Sequence, residues 1–399
     1  MIRLERRLDT PSWLSIAVVL FAFGMGLLLA AVVLLVTDHN PLSTYHSMLR
    51  AGFTNPGALS STLVNATPIL LTALCALVAI RMRIYNIGGE GQLYMGAMGA
   101  AGMGIALGGA PRPMVMVGMI AGGCLAGALW AAIPGFLRSR LSTNEILTTL
   151  MLNYVAGLFV YYLIFNSHSY WRDLTSGNAK FYPQGKTLDR ADWWPALHFG
   201  HLVIPTGFII GLVLAAVVWW TLRSTRAGFQ LRVIAGSQSA ARYAGIRTKR
   251  AVLSVMVVSG GLAGVAGASM VGDFTHMLDP NGLQQAQFGY AGIVAAALVG
   301  FNPLAAVIGA IFIGSLTNAG FQLQGATFPQ GLVGVIEGII LLCVLGAQFL
   351  TTYRIRRAPR RDPAAPAAAA SGPALADQTP VLDASPTFAG RDLEPVTEP

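Results

Sequence analysis

Apolar runs near twenty residues long follow one another through this chain, and that repetition constrains its fold more than any other feature. As a helix, such a run crosses about 30 Å of hydrocarbon. With 54% hydrophobic and only 11% charged residues, the chain has too little polar surface for a soluble globule and reads as a polytopic membrane protein. Strand-period alternation is absent. A helix satisfies its backbone polar groups within its own segment, so an all-α bundle is the physical solution in lipid. Cys75, Cys124 and Cys343 all lie inside apolar runs, and an odd number of thiols buried there argues against disulfides. The run 13–36 is too long for a signal-peptide core and lacks a small-residue cleavage pattern, so it reads as a retained span.

Ten spans are predicted, at about 13–36, 63–80, 91–108, 114–137, 146–166, 203–222, 251–270, 284–301, 303–321 and 331–350. The positive-inside rule orients them. Arg3, Arg6 and Arg7, Arg81 and Arg83, Arg138 and Arg140, the loop 223–250 and the cluster from Arg354 to Arg361 all fall on one side, predicted to be cytoplasmic. Both termini then face the cytoplasm, which requires an even number of crossings. The stretch 284–301 is either a full span or a re-entrant segment, and charge parity favours the span. Three regions follow: a cytoplasmic N-terminal segment 1–12, a membrane domain 13–350, and a tail 351–399. The tail is rich in Ala and Pro and is expected to be disordered, cytoplasmic and dispensable.

Between spans five and six, the extracytoplasmic loop 167–202 holds Trp171, Trp193 and Trp194, residues of an interfacial aromatic belt. It reads as a lid of amphipathic turns or as a docking surface for an extracytoplasmic partner. Gly118 with Gly122, Gly123 with Gly127, and Gly260 with Gly264 are each four apart, which puts each pair on one helix face and signals close helix packing.

Several chemistries are excluded. "GKT" at 185–187 lacks the glycine a phosphate-binding loop needs, because position 180 is Lys. His198 and His201 have no third ligand nearby, so no metal site is expected. The acids near or within spans, Glu90, Glu145, Asp273 and Glu337, are scattered and have no histidine at helical spacing, so no catalytic residue is assigned. One intramembrane acid suffices for an ion relay, and an ion-coupled secondary transporter therefore stands as the alternative reading.

Two stretches carry polar chemistry. In "YNIGGEGQ", Asn86, Gly88, Gly89, Glu90, Gly91 and Gln92 stand where span three should begin. The glycines predict a broken, late helix start whose backbone needs partners. Glu90 in a first helical turn faces a favourable dipole, with Arg81 or Arg83 as a possible ion-pair partner. Glu90 and Asn86 either tie down the break or touch cargo. In "AGSQSAARYAG", Ser237 is positioned to cap a short basic helix that Gly245 ends, a cytoplasmic handle beyond what a plain basic loop needs. Deeper in the spans, Asn65, Asn153, Gln287, Phe288, Tyr290 and Asn318 have the chemistry to meet a ribose, a base or a sugar, or to join helices.

"NIGGEGQLYMGA" at 86–97, "STNEILTTLMLNY" at 142–154, "AGFQLRVIAGSQSAARYAGI" at 227–246 and "FGYAGIVAAALVGFNPLAAVIGA" at 288–310 together resemble the permease subunits of nucleoside and simple-sugar ABC importers, within the branched-chain amino acid permease superfamily. The resemblance runs over about 10–350 and leaves the tail outside. It implies a type II importer-like fold with two inverted halves, spans two to five and seven to ten. It implies an inner-membrane permease subunit that moves a neutral small solute, foremost a nucleoside, by alternating access. A cytoplasmic ABC ATPase would bind ATP and Mg while this chain binds no cofactor, with a second, nonidentical permease and an extracytoplasmic binding protein or lipoprotein as further partners. On this likeness Gly236, Ser237, Ala240, Ala241, Arg242, Tyr243 and Gly245 form the coupling helix. Ser237-Gln238-Ser239 departs from the Gly/Glu-Asn-Pro-like turn of many relatives, which bears on partner choice. No phosphate-clamping arginines lie in the spans, so nucleotides are not expected as cargo.

Overall fold

A computed structural model describes residues 2–6, 12–177, 181–324, parts of 332–346, and 353–357. The described terminal residues form a small unit of their own, in which β1 (Ile2–Arg6) pairs with β4 (Tyr353–Arg357). That strand lies inside the tail predicted to be disordered. Arg alternates there with Tyr and Ile, a period-2 pattern too short to register beside the Pro-rich remainder; 358–399 lies outside the described residues.

The main unit is helical. In chain order it contains α1 (Ser12–Val36), α2 (Pro41–Leu49) with a π-helical extension to Thr54, α3 (Ala58–Ile80), α4 (Gly89–Ala106), α5 (Arg112–Leu141) and α6 (Glu145–Phe165). A hairpin of β2 (Ala196–Phe199) and β3 (Leu202–Pro205) leads into α7 (Thr206–Ser224), α8 (Arg226–Gly236) and α9 (Gln238–Tyr243). Then come α10 (Thr248–Ser269), continued as a π-helix to Thr275, α11 (Pro280–Ala286), α12 (Phe288–Leu298) and α13 (Ala306–Leu323). Among the described residues six helices are long and apolar enough to cross a membrane. Two features differ from expectation. Residues 202–205 are strand rather than the start of a span, because the β-branched run there pairs across the Gly200 turn. After α1 the chain bends by 119° into α2 and its extension, a segment too short and polar to register as a span.

α3 is buried on every side and forms the axis of the bundle, as an all-round apolar helix should. Its first turn meets the hairpin, where Ser60 Oγ accepts from the Val203 amide at 2.9 Å. At its far end Arg81 donates to the Phe301 carbonyl at 2.8 Å. Beside it α4, α5 and α10 meet along the predicted glycine faces. A methyl group on Gly123 would stand 2.8 Å from the Gly264 carbonyl oxygen, and one on Gly127 2.8 Å from the Gly264 amide. One on Gly96 of α4 would collide with Gly264 backbone. Backbone therefore touches backbone, the arrangement that lets dispersion hold helices in lipid. A second apolar cluster joins α1, α2 and α13 through Ala30, Leu34, Met48 and Ala319.

Candidate functional site

Two helix starts deep in the bundle lack a cap from their own sequence, and each takes one from another helix. The chain leaves α3 at Arg81, turns through Arg83 in the left-handed region (φ 58), and runs without regular structure over 84–87 before α4 begins at Gly89. Gly88, at the capping position, has no side chain to offer. Asn86 and Gln92 close the break with reciprocal amide bonds of 3.0 Å each. Asn86 also donates to Ser259 Oγ at 2.8 Å and accepts from the Gly88 amide at 3.0 Å. The free Gly91 amide of the first turn donates to Asn153 Oδ1 of α6 at 2.9 Å. The glycines do not break the helix, as the sequence had suggested; Gly89 and Gly91 are helical. Gly91 is small because a methyl there would sit 2.9 Å from the Asn153 backbone, and one on Gly88 2.8 Å from Gln92 Nε2. The break itself lies over 84–88.

The second start is that of α12. Gln287 sits in the left-handed region (φ 48) between α11 and α12 and provides no side-chain cap. The cap comes from α4: Glu90 Oε2 accepts from the Gly289 amide at 2.5 Å. Its other oxygen accepts from Tyr94 Oη at 2.7 Å, and Asn153 Nδ2 donates to Tyr290 Oη at 3.1 Å. Thr72 of α3 donates to the Phe288 carbonyl at 2.9 Å, and a methyl on Gly289 would press on Glu90 at 2.5 Å. The predicted ion pair between Glu90 and Arg81 or Arg83 is not formed. Glu90 is only 2% exposed, and Arg81 is spent on Phe301 at the bundle's end, where its charge stays near solvent. A third helix is capped in the same way: Asp273 Oδ2 accepts from the Gly207 amide of α7 at 2.8 Å. Glu145 pairs with Arg138 at 3.2 Å, and Glu337 lies outside the described residues. Each described acid considered for ion coupling is thus held by a structural partner.

Beside the two breaks opens a pocket of about 250 Å³, just below the roughly 300–1,000 Å³ usual for small-molecule sites. Glu90, Asn153, Gln287 and Tyr290, all singled out from the sequence, line it. So do Tyr94, Tyr154 and Gln284, which were not. Their spacing held a signal: Tyr94 is one turn after Glu90, Tyr154 follows Asn153, and Gln284 precedes Gln287 by three. Phe288 is buried in the core behind the break. Asn318 and Asn65 stand elsewhere, near the first turns of α3. Asn318 donates to the Ala51 and Ala58 carbonyls at 3.0 and 3.2 Å, and Asn65 to Ser61 at 2.9 Å. Asn318 joins helices, Asn65 bonds back within α3, and neither lines the pocket. His198 lies on β2 and His201 in the hairpin turn, so the helical spacing a shared metal would need is not realised.

At the Arg81 end of the bundle, α9 is closed at both ends by its own sequence. Ser237 Oγ accepts from the Ala240 amide at 3.2 Å. Gly245 (φ 76) donates to Arg242 and Ile246 to Ala241, each at 3.0 Å, a Schellman ending. Ala241 is buried beneath the helix, whereas Arg242 and Tyr243 project outward, Tyr243 being 98% exposed.

A multi-helix membrane bundle with discontinuous helices at a polar pocket and a capped helix on one exposed end defines a membrane transport subunit rather than an enzyme. Residues 58–345 match the family described as branched-chain amino acid transport system, permease component, and the chain belongs to that family. It is 27% identical over 94% of its length to the glucose ABC transporter permease protein TsgB13 of Haloferax volcanii, covering 98% of that protein. It is 28% identical over 84% of its length to the guanosine ABC transporter permease protein NupP of Bacillus subtilis (93% of that protein). With the nucleoside ABC transporter permease protein NupB of Lactococcus lactis it shares 28% identity over 83% of its length (90% of that protein). The chain is thus a permease component, and hydrolysis of ATP falls to another subunit.

Proposed function

We propose that this chain forms part of an importer that carries a neutral solute, a nucleoside, across the bacterial inner membrane by alternating access. The observation that carries the reading is the pocket at the joined breaks. Tyr94, Tyr154 and Tyr290 offer flat faces for a base, and Gln284 and Gln287 offer donors and acceptors for ring edges and ribose, while Asn153 holds the breaks in place. Two of the relatives named above are permeases for guanosine or nucleosides and the third for glucose. A pocket this small favours a brief stop over tight capture, which suits a system whose binding protein or lipoprotein delivers cargo from outside.

In this reading α1, α3, α4, α5, α6, α7, α10, the α11–α12 pair and α13, with the span predicted from the sequence at 331–350, which lies partly outside the described residues, make ten crossings, and both termini are cytoplasmic. The pairing of β1 with β4 supports an even number. Spans two to five and seven to ten then form inverted halves; the breaks fall in spans three and eight, five apart, as such a repeat requires. A cytoplasmic ATPase binding ATP and Mg seats α9 in its cleft, with Gly236, Ser237, Ala240, Ala241, Arg242, Tyr243 and Gly245 building that contact. A second, nonidentical permease completes the path.

The test is uptake into proteoliposomes holding this chain with its co-purified partners. ATP-dependent accumulation of guanosine or uridine, competed by neither glucose nor the nucleoside monophosphates, is the expected result. Preference for monophosphates, or uptake without an ATPase subunit, overturns it.

A further inference from the structure

At the Arg81 end of the bundle, where α5 and α10 part, a cleft of about 740 Å³ is walled by Arg140, Arg242, Arg247, Lys249 and Arg250, with no acidic residue in its lining. None of the five has an ion-pair partner among the described residues. The nearest acid on α6, Glu145, is already held by Arg138. Around the start of α10 lies a second groove of about 770 Å³, and it is apolar, running between α7 and α10 past Leu214, Val217, Val258 and Leu262. Arg247 and Arg250 line both cavities. Val217 and Val258 are about half exposed on helices long enough to cross the bilayer.

We propose that this pair of cavities is a binding site for an anionic phospholipid of the surrounding bilayer, with the headgroup phosphate in the basic cleft and one acyl chain in the apolar groove. Basic pockets between spans on the cytoplasmic side of membrane proteins hold acidic headgroups, and a cation on a long stem reaches the phosphate while its methylenes lie along hydrocarbon. The uncapped start of α10 at Thr248 adds amide donors on the same side. The occupant is chosen by the juxtaposition. An acidic patch on a soluble ATPase would satisfy the arginines, but it has nothing to lay along Val217, Val258 and Leu262 between two spans. A phospholipid satisfies both.

The experiment is native mass spectrometry of the purified full-length chain mixed with equal amounts of phosphatidylglycerol and phosphatidylcholine. The expected result is retention of phosphatidylglycerol over phosphatidylcholine by about tenfold. That preference should fall to near parity in R247Q/R250Q and persist in R247K/R250K. A Val258→Trp variant, which fills the groove and leaves every cation in place, should lose retained phosphatidylglycerol as well. Parity in the parent, unchanged preference in R247Q/R250Q, displacement by inorganic phosphate, or loss of the lipid once the ATPase subunit is bound each overturns the assignment.

Discussion

Glu90 caps a helix to which it does not belong: its carboxyl oxygen meets the Gly289 amide at 2.5 Å across 199 residues of sequence, and so ties the start of α12 to the start of α4. Glutamine keeps an acceptor at that position and alanine removes it. Glu90→Gln should therefore cost about 1 kcal/mol, whereas Glu90→Ala strands the Gly289 amide and the Tyr94 hydroxyl in a buried site at about 3 kcal/mol. Thermal unfolding of the detergent-purified chain checks the order. Equal losses would show that the carboxyl group is there for something other than capping.

Asn153 serves both breaks, accepting from Gly91 at 2.9 Å and donating to Ile87 at 2.9 Å and Tyr290 at 3.1 Å. Asn153→Ala should destabilise by about 2 kcal/mol. Combined with Tyr290→Phe, it should fall short of additivity by about 0.5–1 kcal/mol, since the two share one bond. A double-mutant cycle on unfolding measures it, and strict additivity would mean that the Tyr290 contact contributes nothing.

Gly264 lies against the backbone of both Gly123 and Gly127, whereas nothing stands near the missing methyl of Gly24 on α1. Gly264→Ala should cost about 1–3 kcal/mol through overpacking. The same exchange at Gly24 should be neutral or stabilising by up to about 1 kcal/mol from helix propensity. Thermal midpoints of the two variants, measured side by side, decide between a packing effect and a general intolerance of alanine.

Tyr243 projects from α9 and Ser237 holds α9 together. Tyr243→Ala should leave the isolated permease within about 0.5 kcal/mol of the parent yet reduce co-purification of the ATPase. Ser237→Ala should cost about 1 kcal/mol through the lost cap. Pull-down from native membranes, scored beside thermal unfolding, separates the two effects.

The His276 ring stacks on Trp193 with centroids 3.7 Å apart and planes 4° from parallel, pinning the 166–205 loop to the end of α10. Burial pushes the imidazole below its ordinary value of 6.5 and outweighs the backbone hydrogen bonds at Val271 and Gly272, which favour its charged form. The docked loop therefore binds fewer protons than the free one. Its docking is complete above about pH 6.5 and weakens as pH falls through that value. Protection factors over 186–194, taken relative to the intrinsic exchange rate at each pH, should fall as pH drops from about 8 to about 5, and His276→Gln should remove the dependence.

What the sequence revealed and what it hid divide along one line. Features whose cause is local were legible. Apolar length located α3, α5, α6, α7, α10 and α13, glycine spacing located the α5–α10 contact, and Ser237 with Gly245 located both ends of α9. Features whose cause lies far along the chain were not. At Gly88 and Gln287 the sequence shows only that a local cap is missing; the groups that fill the gap are 62 and 199 residues away. Asn65 and Asn318 had the right chemistry for cargo, but amides read the same whether they face a cavity, a neighbouring helix or their own preceding turn. The short strands went unseen because four or five residues are too few to show a period among twenty-residue runs.

Caps borrowed between helices also govern how the protein must be made. Glu90 leaves the ribosome well before Gly289, so the early half of the bundle waits with a carboxyl oxygen whose partner is still to come, and α12 later arrives with a first-turn amide that a buried site cannot leave bare. The start of α12 is completed only when α3, α4 and α6 stand assembled to receive it, which makes its docking a late step in the folding of the permease.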